Sequence, residues 1–372
     1  MEGQGKIALF TCHEDPNYGS MLQAYALVAA IKSFGYEAEY ISYRNYPYQS
    51  WLIRVIKTIV RHLGLKKSVH EFSFFDTPEF ADTLNAFKRF HRRYIPSSKK
   101  IYYSNTIRTI TVHNEYTNYI IGSDQSWSPY LYDSRKPYFL DFAELPKRNA
   151  YAPSLGTTNI SVEYKQLLQQ KLSLFNHLSC RENSNSEMLS SLIGREVKNV
   201  LDPTLLLSFK EWDKIATTPK INGDYILAYI LGEKDTIIKF ADNLGNKTGL
   251  LVYYIVTRPK HKNHKNTLTG IGPDDFVGLV KHAKYVVTDS FHGTLFCIIY
   301  KVQFYAFSKQ KGDMNNKDNI RILEFLKTLR LEERFQDDNH AFLLENVNYE
   351  ESHHILLSMQ KESVAFLKLC VE

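Results

Sequence analysis

Apolar and polar residues alternate along this chain in blocks that predict strands and helices in turn. A short apolar or β-branched run predicts a buried strand, whereas apolar residues that recur every three or four positions predict a helix. In the first part of the chain we predict strands at 6–12, 36–43, 119–121, 148–154, near Cys180 and at 197–203, and helices at 20–34, 78–93, 162–175 and 187–193. This alternation predicts a parallel sheet covered by helices.

The alternation restarts after residues 208–223, whose polar, proline and glycine content is typical of a linker or a surface helix. Beyond them we predict strands at 224–231, 250–257, 285–288 and 302–307, and helices at 236–244, 273–282, 294–300, 321–329 and 349–370. The chain has 372 residues, which favours two domains. The predicted fold class is α/β, with two Rossmann-like doubly wound domains facing across a cleft. We place them at 1–207 and 224–348, with a linker at 208–223 and a C-terminal helix at 349–372.

His292 lies where a predicted strand passes into a predicted helix. Residues 285–288 are a β-branched run and residues 294–300 an apolar stretch, so the histidine lies at the carboxyl end of the strand. Ligands bind at that edge of open parallel sheets, and the free N–H groups of the next helix attract anions. We therefore predict a phosphate or carboxylate ligand, with His292 as a candidate for proton transfer. The alternative is a histidine that caps the helix or packs in the core.

Facing sheets would bring other strand-to-helix loops into the same cleft. These loops comprise residues 15–20, 122–127, 154–157, 181, 258–265, 289–294 and 309–318. His261 and His264 share one of them, but no cysteine or carboxylate lies near them in sequence, so we expect no metal.

Composition narrows the class of protein. The chain is 44% hydrophobic and 23% charged, which is typical of a soluble globular protein, and no apolar run reaches the ~18 residues that a membrane span needs. With no signal-peptide pattern at its start, we expect a cytoplasmic protein. The four cysteines lack CxxC spacing and are expected to be ordinary buried thiols. A net charge of +6 suits anionic ligands or an anionic lipid surface, and we expect no nucleic-acid partner.

Much of the positive charge lies in residues 51–67, WLIRVIKTIVRHLGLKK. This stretch carries five cations and no acid, and its apolar residues repeat at helical spacing. Such a helix would lie on an anionic membrane surface, or it would cover the core with its apolar stripe as an ordinary surface helix.

Seven short motifs, in order along the chain, resemble those of one family. They are NYGSMLQAYAL (17–27), IGSDQSW (121–127), YAPSLG (151–156), CREN (180–183), VLDPTLLL (200–207), IGPDDF (271–276) and TDSFHGT (288–294). The resemblance is to the polysaccharide pyruvyl transferases. It implies a two-domain architecture like that of GT-B glycosyltransferases, and transfer of the enolpyruvyl group of phosphoenolpyruvate onto sugar hydroxyls, commonly as a ketal.

The family resemblance implies a catalytic histidine at His292, an arginine at Arg181 that holds the anionic donor, and a second arginine two residues before the histidine. Ser290 stands at that last position, and a hydroxyl cannot replace the paired hydrogen bonds of a guanidinium. Either another cation substitutes or the donor differs. The candidate substitutes are Arg258, Lys260, Lys309 and Arg321.

The remaining candidates are expected to hold the two substrates. Gly293 would allow the donor to approach the backbone closely. Asn17, Asp124 and Gln125 would bind sugar hydroxyls, and Trp127 would stack on a sugar face. Alternatively, Asn17 forms a turn, Asp124 caps a helix and Trp127 packs in the core.

Three functions follow as hypotheses. The first is pyruvyl transfer from phosphoenolpyruvate to a hexose of a surface polysaccharide, such as a capsule or exopolysaccharide, or of its lipid-linked precursor at the inner face of the cell membrane. It needs no cofactor beyond the donor substrate. The second is a glycosyltransferase of the same architecture with a nucleotide-sugar donor, which the serine at Ser290 favours. The third is a noncatalytic carbohydrate-binding protein.

Overall fold

A computed structural model describes residues 5–11, 16–44, 80–112, 115–132, 137–232, 235–255, 257, 264–309, 319–336 and 346–372. The basic stretch 51–67, Arg258, Lys260 and His261 lie outside the described residues. Predictions made for them remain predictions.

The first half of the chain forms a six-stranded parallel sheet. Its strands are β1 (Lys6–Phe10), β2 (Glu37–Tyr40), β5 (Asn118–Ile121), β6 (Arg148–Ala150), β7 (His177–Cys180) and β8 (Lys198–Asn199), and a separate pair is formed by β3 (Tyr43–Arg44) and β4 (Tyr102–Tyr103). The helices are α1 (Tyr18–Ser33), α2 (Ala81–Tyr94), α3 (Val162–Leu172), α4 (Asn183–Ile193) and the short α5 (Phe209–Trp212). The strand order β2-β1-β5-β6-β7-β8 reverses direction between β1 and β5.

The second half forms another six-stranded parallel sheet. Its strands are β9 (Tyr225–Tyr229), β10 (Leu251–Ile255), β11 (Thr267–Leu268), β12 (Tyr285–Thr288), β13 (Gln303–Phe307) and β14 (Phe335–Gln336), and its helices are α6 (Asp235–Thr248), α7 (Pro273–His282), α8 (Phe291–Tyr300), α9 (Asn319–Thr328) and α10 (Tyr349–Val371). The order β11-β10-β9-β12-β13-β14 is the 3-2-1-4-5-6 order of a Rossmann sheet, with its reversal between β9 and β12. The predicted fold class is confirmed.

Most element predictions agree with the structure, and α7 and β12 agree to the residue. Several helices begin earlier than predicted, most clearly α4 and α8, by three or more residues. Helix α8 begins at Phe291 because the Ser290 hydroxyl caps it by accepting a hydrogen bond from the Gly293 N–H, at 3.2 Å. Helix α4 begins at Asn183 rather than at residue 187, without a side-chain hydrogen bond at its cap. The predicted extended segment 197–203 is also shorter than expected, since β8 is followed by a 3₁₀ turn over Pro203–Leu206.

One hydrophobic core joins the two sheets. The Tyr18 ring of α1 lies 5.5 Å from the ring of Tyr229 in β9 and 4.9 Å from that of Phe276 in α7. Trp212 of α5 is fully buried, 5.5 Å from the Tyr25 ring and 4.8 Å from the Phe296 ring. Part of the segment predicted as a linker is therefore packed between the sheets. The domain boundaries themselves remain a proposal.

Helix α10 makes hydrogen bonds to both halves of the chain. Near its start the Tyr349 hydroxyl donates to the Val302 carbonyl, at 2.5 Å. Further along, the Ser363 hydroxyl accepts from the Leu201 N–H at 3.0 Å, and the amide of Asn118, the first residue of β5, donates to the Val371 carbonyl at 3.1 Å. The helix that follows the second sheet in the chain thus packs against the first sheet.

The described cysteines Cys180, Cys297 and Cys370 are buried free thiols, as predicted. None of the helices in the described ranges combines the length and the apolar character needed to cross a bilayer.

Candidate active site

The reversal points of the two sheets face each other and enclose a cleft of about 300 Å³. Ligands bind at such points in open α/β sheets, because the loops diverge there and leave a crevice at the carboxyl ends of the strands. The first half supplies Asn17, Ser20, Asp124, Gln125 and Leu131, and the second half supplies Leu231, Asp289, Ser290, Phe291, His292, Lys309, Arg321 and Ile322. Of the seven predicted loops, those at 15–20, 122–127 and 289–294 and the start of 309–318 meet at this cleft, whereas residues 154–157 and Arg181 do not line it. Residues 258–263 and 310–318 lie outside the described residues.

His292 lies in the first turn of α8 and is 9% exposed. Its Nε2 atom lies 3.3 Å from Oδ2 of Asp202, which belongs to the first half of the chain. On its other side the ring presses against α1, where a Cβ added to Gly19 would lie 2.0 Å from Nδ1. Any side chain larger than hydrogen at position 19 would therefore displace the imidazole. The ring is held from both sides by the opposite half of the chain.

The Asp202 carboxylate is fully buried and has several donors around it. Its Oδ1 atom accepts from the Thr204 N–H at 3.0 Å and from the Thr204 hydroxyl at 2.7 Å. Its Oδ2 atom accepts from Nη1 of Arg181 at 2.8 Å. Burial alone raises the pKa of Asp202, but its interactions with His292, with the charge of Arg181 and with the Thr204 N–H bring it well below its ordinary value. Asp202 is therefore a carboxylate at neutral pH.

Arg181 lies beneath the cleft among three carboxylates. Besides Asp202, its Nε contacts Glu182 at 3.4 Å, and its Nη2 lies 3.9 Å from Oδ1 of Asp124. Burial alone would lower the pKa of the guanidinium, but these carboxylates raise it above its ordinary value. Within the described part of the chain, Nη2 has no hydrogen-bond partner. Its predicted role as an anion clamp remains a prediction, and its closest partner in the structure is Asp202.

The Phe291 ring lies close to the guanidinium groups of both Arg181 and Arg321. The Arg181 guanidinium lies 4.7 Å from the Phe291 ring centroid, and that of Arg321 lies 5.9 Å from it. Both distances permit cation–π attraction. With its carbonyl oxygen turned towards α9, Gln125 accepts hydrogen bonds from both terminal nitrogens of Arg321, at 3.1 and 3.0 Å. Arg321 is thus fixed at the cleft wall by one residue from each half.

Asp289 connects the loops that follow β9 and β12. Its two carboxylate oxygens accept from the N–H groups of Leu231 and Gly232, at 2.6 and 2.7 Å. Burial raises the pKa of this carboxyl, while the two N–H groups and the charge of Lys309 act in the opposite direction. A Cβ added to Gly232 would lie 2.3 Å from the Lys309 carbonyl oxygen, so the loops pack tightly.

The predicted acceptor residues divide into two groups. Asn17, Asp124 and Gln125 line the cleft. Asn17 also caps α1, where its side chain accepts from the Ser20 N–H, and Asp124 accepts from the Ser20 hydroxyl at 2.7 Å rather than capping a helix. Trp127 is fully buried and donates its indole N–H to the Tyr138 carbonyl at 3.1 Å. Trp127 thus packs in the core, the alternative left open by the sequence, and its ring does not reach the cleft.

Three of the other predicted donor residues line the same cleft, while Arg258 and Lys260 lie outside the described residues. Ser290, Lys309 and Arg321 line it, and Gly293 lies one residue beyond His292, where an added Cβ would approach the Thr288 hydroxyl to 2.8 Å. Gly293 therefore permits close packing of α8 on β12. No group of three or more His, Cys, Asp or Glu side chains within the described ranges is arranged to hold a metal ion. His264 stacks on Tyr254, with 4.6 Å between ring centroids.

Reasoning from the sequence missed Asp202, Phe291, Asp289 and the contact between Gly19 and His292. A signal existed for each, because Asp202 belongs to the VLDPTLLL motif, Gly19 to NYGSMLQAYAL, and Asp289 and Phe291 to TDSFHGT. Asp202 precedes a proline, however, and an Asp-Pro pair is equally typical of a turn.

Several solved structures are similar to this chain over nearly its whole length. UDP-GlcNAc 2-epimerase from Methanocaldococcus jannaschii is 12% identical, with 95% of this chain and 92% of that chain covered and a TM-score of 0.49. A putative UDP-N-acetylglucosamine 2-epimerase from Listeria monocytogenes is 10% identical, with coverages of 99% and 91% and a TM-score of 0.49. ADP-heptose LPS heptosyltransferase II from E. coli is 9% identical, with 96% of this chain and 99% of that chain covered and a TM-score of 0.38. At these values the similarities say nothing about function.

No curated protein sequence matches the chain. The family model described as polysaccharide pyruvyl transferase matches residues 17–310, which include the cleft residues from Asn17 to Lys309. The match covers most of the chain and contains both His292 and Asp202. This chain belongs to the polysaccharide pyruvyl transferase family.

Proposed function

We propose that this protein transfers the enolpyruvyl group of phosphoenolpyruvate to a hexose of a surface polysaccharide or of its lipid-linked precursor, and closes it into a pyruvate ketal. The observation that carries the proposal is the imidazole of His292, held between Asp202 and Gly19 at the wall of a cleft that also contains two cationic side chains. Family membership supports the transferase class. The reaction would take place in the cytoplasm, and at the inner face of the membrane when the acceptor is lipid-linked.

The donor would bind against the second half of the cleft. Phosphoenolpyruvate carries a phosphate and a carboxylate, and this wall offers Lys309, Arg321 and the start of α8. Arg321 is our candidate for the arginine that Ser290 replaces, because its guanidinium is fixed by Gln125 and Phe291 at the cleft. The cleft volume of about 300 Å³ lies at the lower end of the range of small-molecule sites, about 300–1,000 Å³.

The chemistry requires proton transfer in both directions. The methylene carbon of the donor takes up a proton, and a sugar hydroxyl adds to the adjacent cationic carbon and loses its own proton. The carbon–oxygen bond to phosphate then breaks with its electron pair, and a second hydroxyl adds and loses its proton to give the ketal. His292 would deliver and accept these protons, a contribution that is typically 10²–10⁴-fold in rate. Lys309 and Arg321 would stabilise the departing phosphate.

The acceptor would bind against the first half. Asn17, Asp124 and Gln125 offer amide and carboxylate groups to sugar hydroxyls on the side of the cleft opposite Lys309. The Asp124 carboxylate is oriented by the Ser20 hydroxyl. We omit Trp127 from the acceptor site because it is buried.

The direct test is phosphate release from phosphoenolpyruvate on addition of lipid-linked sugars, with mass detection of pyruvylated product. We expect the native protein to release phosphate only with an acceptor, and His292→Ala to lose at least about 100-fold in rate. A near-native rate in His292→Ala would refute the catalytic assignment. Saturation-transfer NMR in which nucleotide sugars bind and phosphoenolpyruvate does not would instead favour a glycosyltransferase.

The assignment of Arg321 has its own test. Arg321→Lys should weaken phosphoenolpyruvate binding by about 10- to 100-fold in calorimetric titration, because a lysine cannot form the paired hydrogen bonds of a guanidinium. Lys327→Met, which removes an exposed charge from the same helix, is the control and should bind normally. Equal affinity of Arg321→Lys and native protein would exclude Arg321 from the donor site.

A further inference from the structure

We infer that Asp202 is the positioning residue of His292: its carboxylate fixes the imidazole as the Nε2–H tautomer, so that Nδ1 is the ring nitrogen left to exchange protons. The part of this inference that concerns reaction rate rests on the proposed function. The part that concerns the tautomer does not, because it is a property of the free protein.

The Asp202 carboxylate is held in place by residues other than His292. Thr204 donates twice to Oδ1, and Arg181 donates to Oδ2. The side chain is fully shielded from solvent. A carboxylate oxygen has two lone pairs, so Oδ2 retains an acceptor site after binding Arg181. That oxygen lies 3.3 Å from Nε2 of His292.

The charge of the carboxylate selects the tautomer. Asp202 is ionised at neutral pH and accepts hydrogen bonds only, so the imidazole nitrogen that faces it must carry hydrogen. The contact is a close approach to a charged oxygen rather than a hydrogen bond of good geometry, since Nε2 has no hydrogen-bond partner within the described residues. A neutral His292 then has its lone pair on Nδ1, the atom beside Gly19.

Arg181 acts on His292 through Asp202. Its Nη1 holds Oδ2 in place, and its charge keeps the carboxylate ionised when His292 is neutral. This role accounts for an arginine buried beneath Phe291 among carboxylates.

The other charged groups around His292 lie farther along the cleft wall. The first half contributes Asp124, next to the start of α1, and the second half contributes Asp289, Lys309 and Arg321. Asp124 is occupied by the Ser20 hydroxyl and Asp289 by two backbone N–H groups. Asp202 is the carboxylate for which an ion-pair contact with His292 is observed in the described part of the chain.

The experiment measures the tautomer and the rate separately. In protein labelled with ¹⁵N-histidine, the His292 signals are assigned by their loss in His292→Gln. The native protein should show Nε2–H, whereas Asp202→Asn should show a mixture of tautomers or Nδ1–H. With a verified acceptor, Asp202→Asn should lower kcat by about tenfold or more, leave KM for phosphoenolpyruvate within about threefold, and change the shape of the kcat pH profile.

Matched controls keep the inference falsifiable. Asp242→Asn removes a carboxylate of α6 that accepts from the Tyr254 hydroxyl far from the cleft, and should leave tautomer and kcat unchanged. If Asp202→Asn does not fold, Asp202→Glu retains the charge and should retain the Nε2–H tautomer. Native protein with an Nδ1–H tautomer, or Asp202→Asn with the native tautomer and pH profile, would overturn the inference. Absence of pyruvyl transfer in native protein with the Nε2–H tautomer would refute only the proposed function.

Discussion

At the scale of single residues, the contact between Gly19 and His292 determines what position 19 tolerates. A methyl group there would lie within 2.0–2.6 Å of three ring atoms, closer than non-bonded atoms approach. The helix itself has no need of a glycine, because Gly19 lies in the first turn of α1 and glycine lowers helix stability relative to alanine. The sequence therefore sacrifices helix propensity to admit the imidazole.

Gly19→Ala should accordingly lower pyruvyl-transfer activity by about 100-fold, a loss comparable to that of general acid–base catalysis, while the protein stays folded. Rate and circular dichroism measure the two effects. Gly249→Ala is the matched control, since its added Cβ meets no atom within 4 Å but its positive φ costs roughly 1 kcal/mol. Normal activity in Gly19→Ala would show that the ring can move without consequence.

Asp202 should also shape the acid stability of the protein. Its pKa in the folded state lies below the ordinary value of 3.8, so its stabilising contribution is present above that pH and is lost as the pH falls further. Urea unfolding should therefore show that the difference in stability between native protein and Asp202→Asn shrinks on going from pH 7 to pH 3. A difference that stays constant over this range would contradict the assigned direction of the pKa shift.

The sequence predicted the location of the cleft but not the partners within it. TDSFHGT placed His292 at a strand-to-helix junction, because β-branched and apolar runs on either side are local signals. The pairing of His292 with Asp202 joins positions ninety residues apart, and local pattern carries no information about it. Trp127 illustrates a second limit. The sequence of a loop motif does not indicate whether its aromatic residue faces a sugar or the core.

At the scale of elements, the start of α8 depends on Ser290. Its hydroxyl accepts from the Gly293 N–H and thereby orders the turn that carries His292. The family resemblance implied an arginine at this position. In this chain the residue is 4% exposed and serves as a helix cap, which accounts for the serine in structural terms.

Ser290→Ala should lower the free energy of unfolding by about 1 kcal/mol, through loss of the cap. Ser290→Thr retains a hydroxyl, so its free energy of unfolding should fall by less than that of Ser290→Ala. Urea denaturation of both variants checks the order. Equal stabilities of Ser290→Ala and native protein would mean that the cap adds nothing to α8.

Helix starts were harder to predict than helix interiors, for reasons that the caps make plain. Helix α7 was predicted to the residue because Pro273 occupies its first position and two acidic residues follow. Helix α4 has Glu182 at its cap and no side-chain hydrogen bond there, so no capping signal marked its start. In α8 the capping serine was present, but the polar residues after it suggested a longer turn.

At the scale of the whole molecule, the two sheets share a core that includes Leu27 and Tyr18 from the first half and Phe276 and Phe296 from the second. A second cluster around Trp127 packs on the other face of the first sheet. Because the shared core contains side chains from both halves, unfolding one half would expose buried surface of the other. The halves should therefore unfold together.

Tryptophan fluorescence offers a test of this cooperativity. Of the three tryptophans, Trp127 reports on the first sheet alone and Trp212 on the shared core. Variants that keep only one of these two should unfold in urea with the same midpoint after correction for the stability lost in each variant. Calorimetry of the native chain should agree, with equal van't Hoff and calorimetric enthalpies. Two separated transitions would show that the sheets unfold independently.

The contacts that hold the His292 ring also limit how this protein can be re-engineered. The ring belongs to one half, while Asp202 and Gly19, which hold it, belong to the other. A chimaera that joins the first half of one family member to the second half of another within residues 208–223 would combine His292 with an Asp202 and a Gly19 from a different protein. Those contacts would not be matched to the ring. New acceptor specificity is better sought by grafting single loops around Asp124 and Gln125, because this leaves the contacts of His292 with Asp202 and Gly19 unchanged.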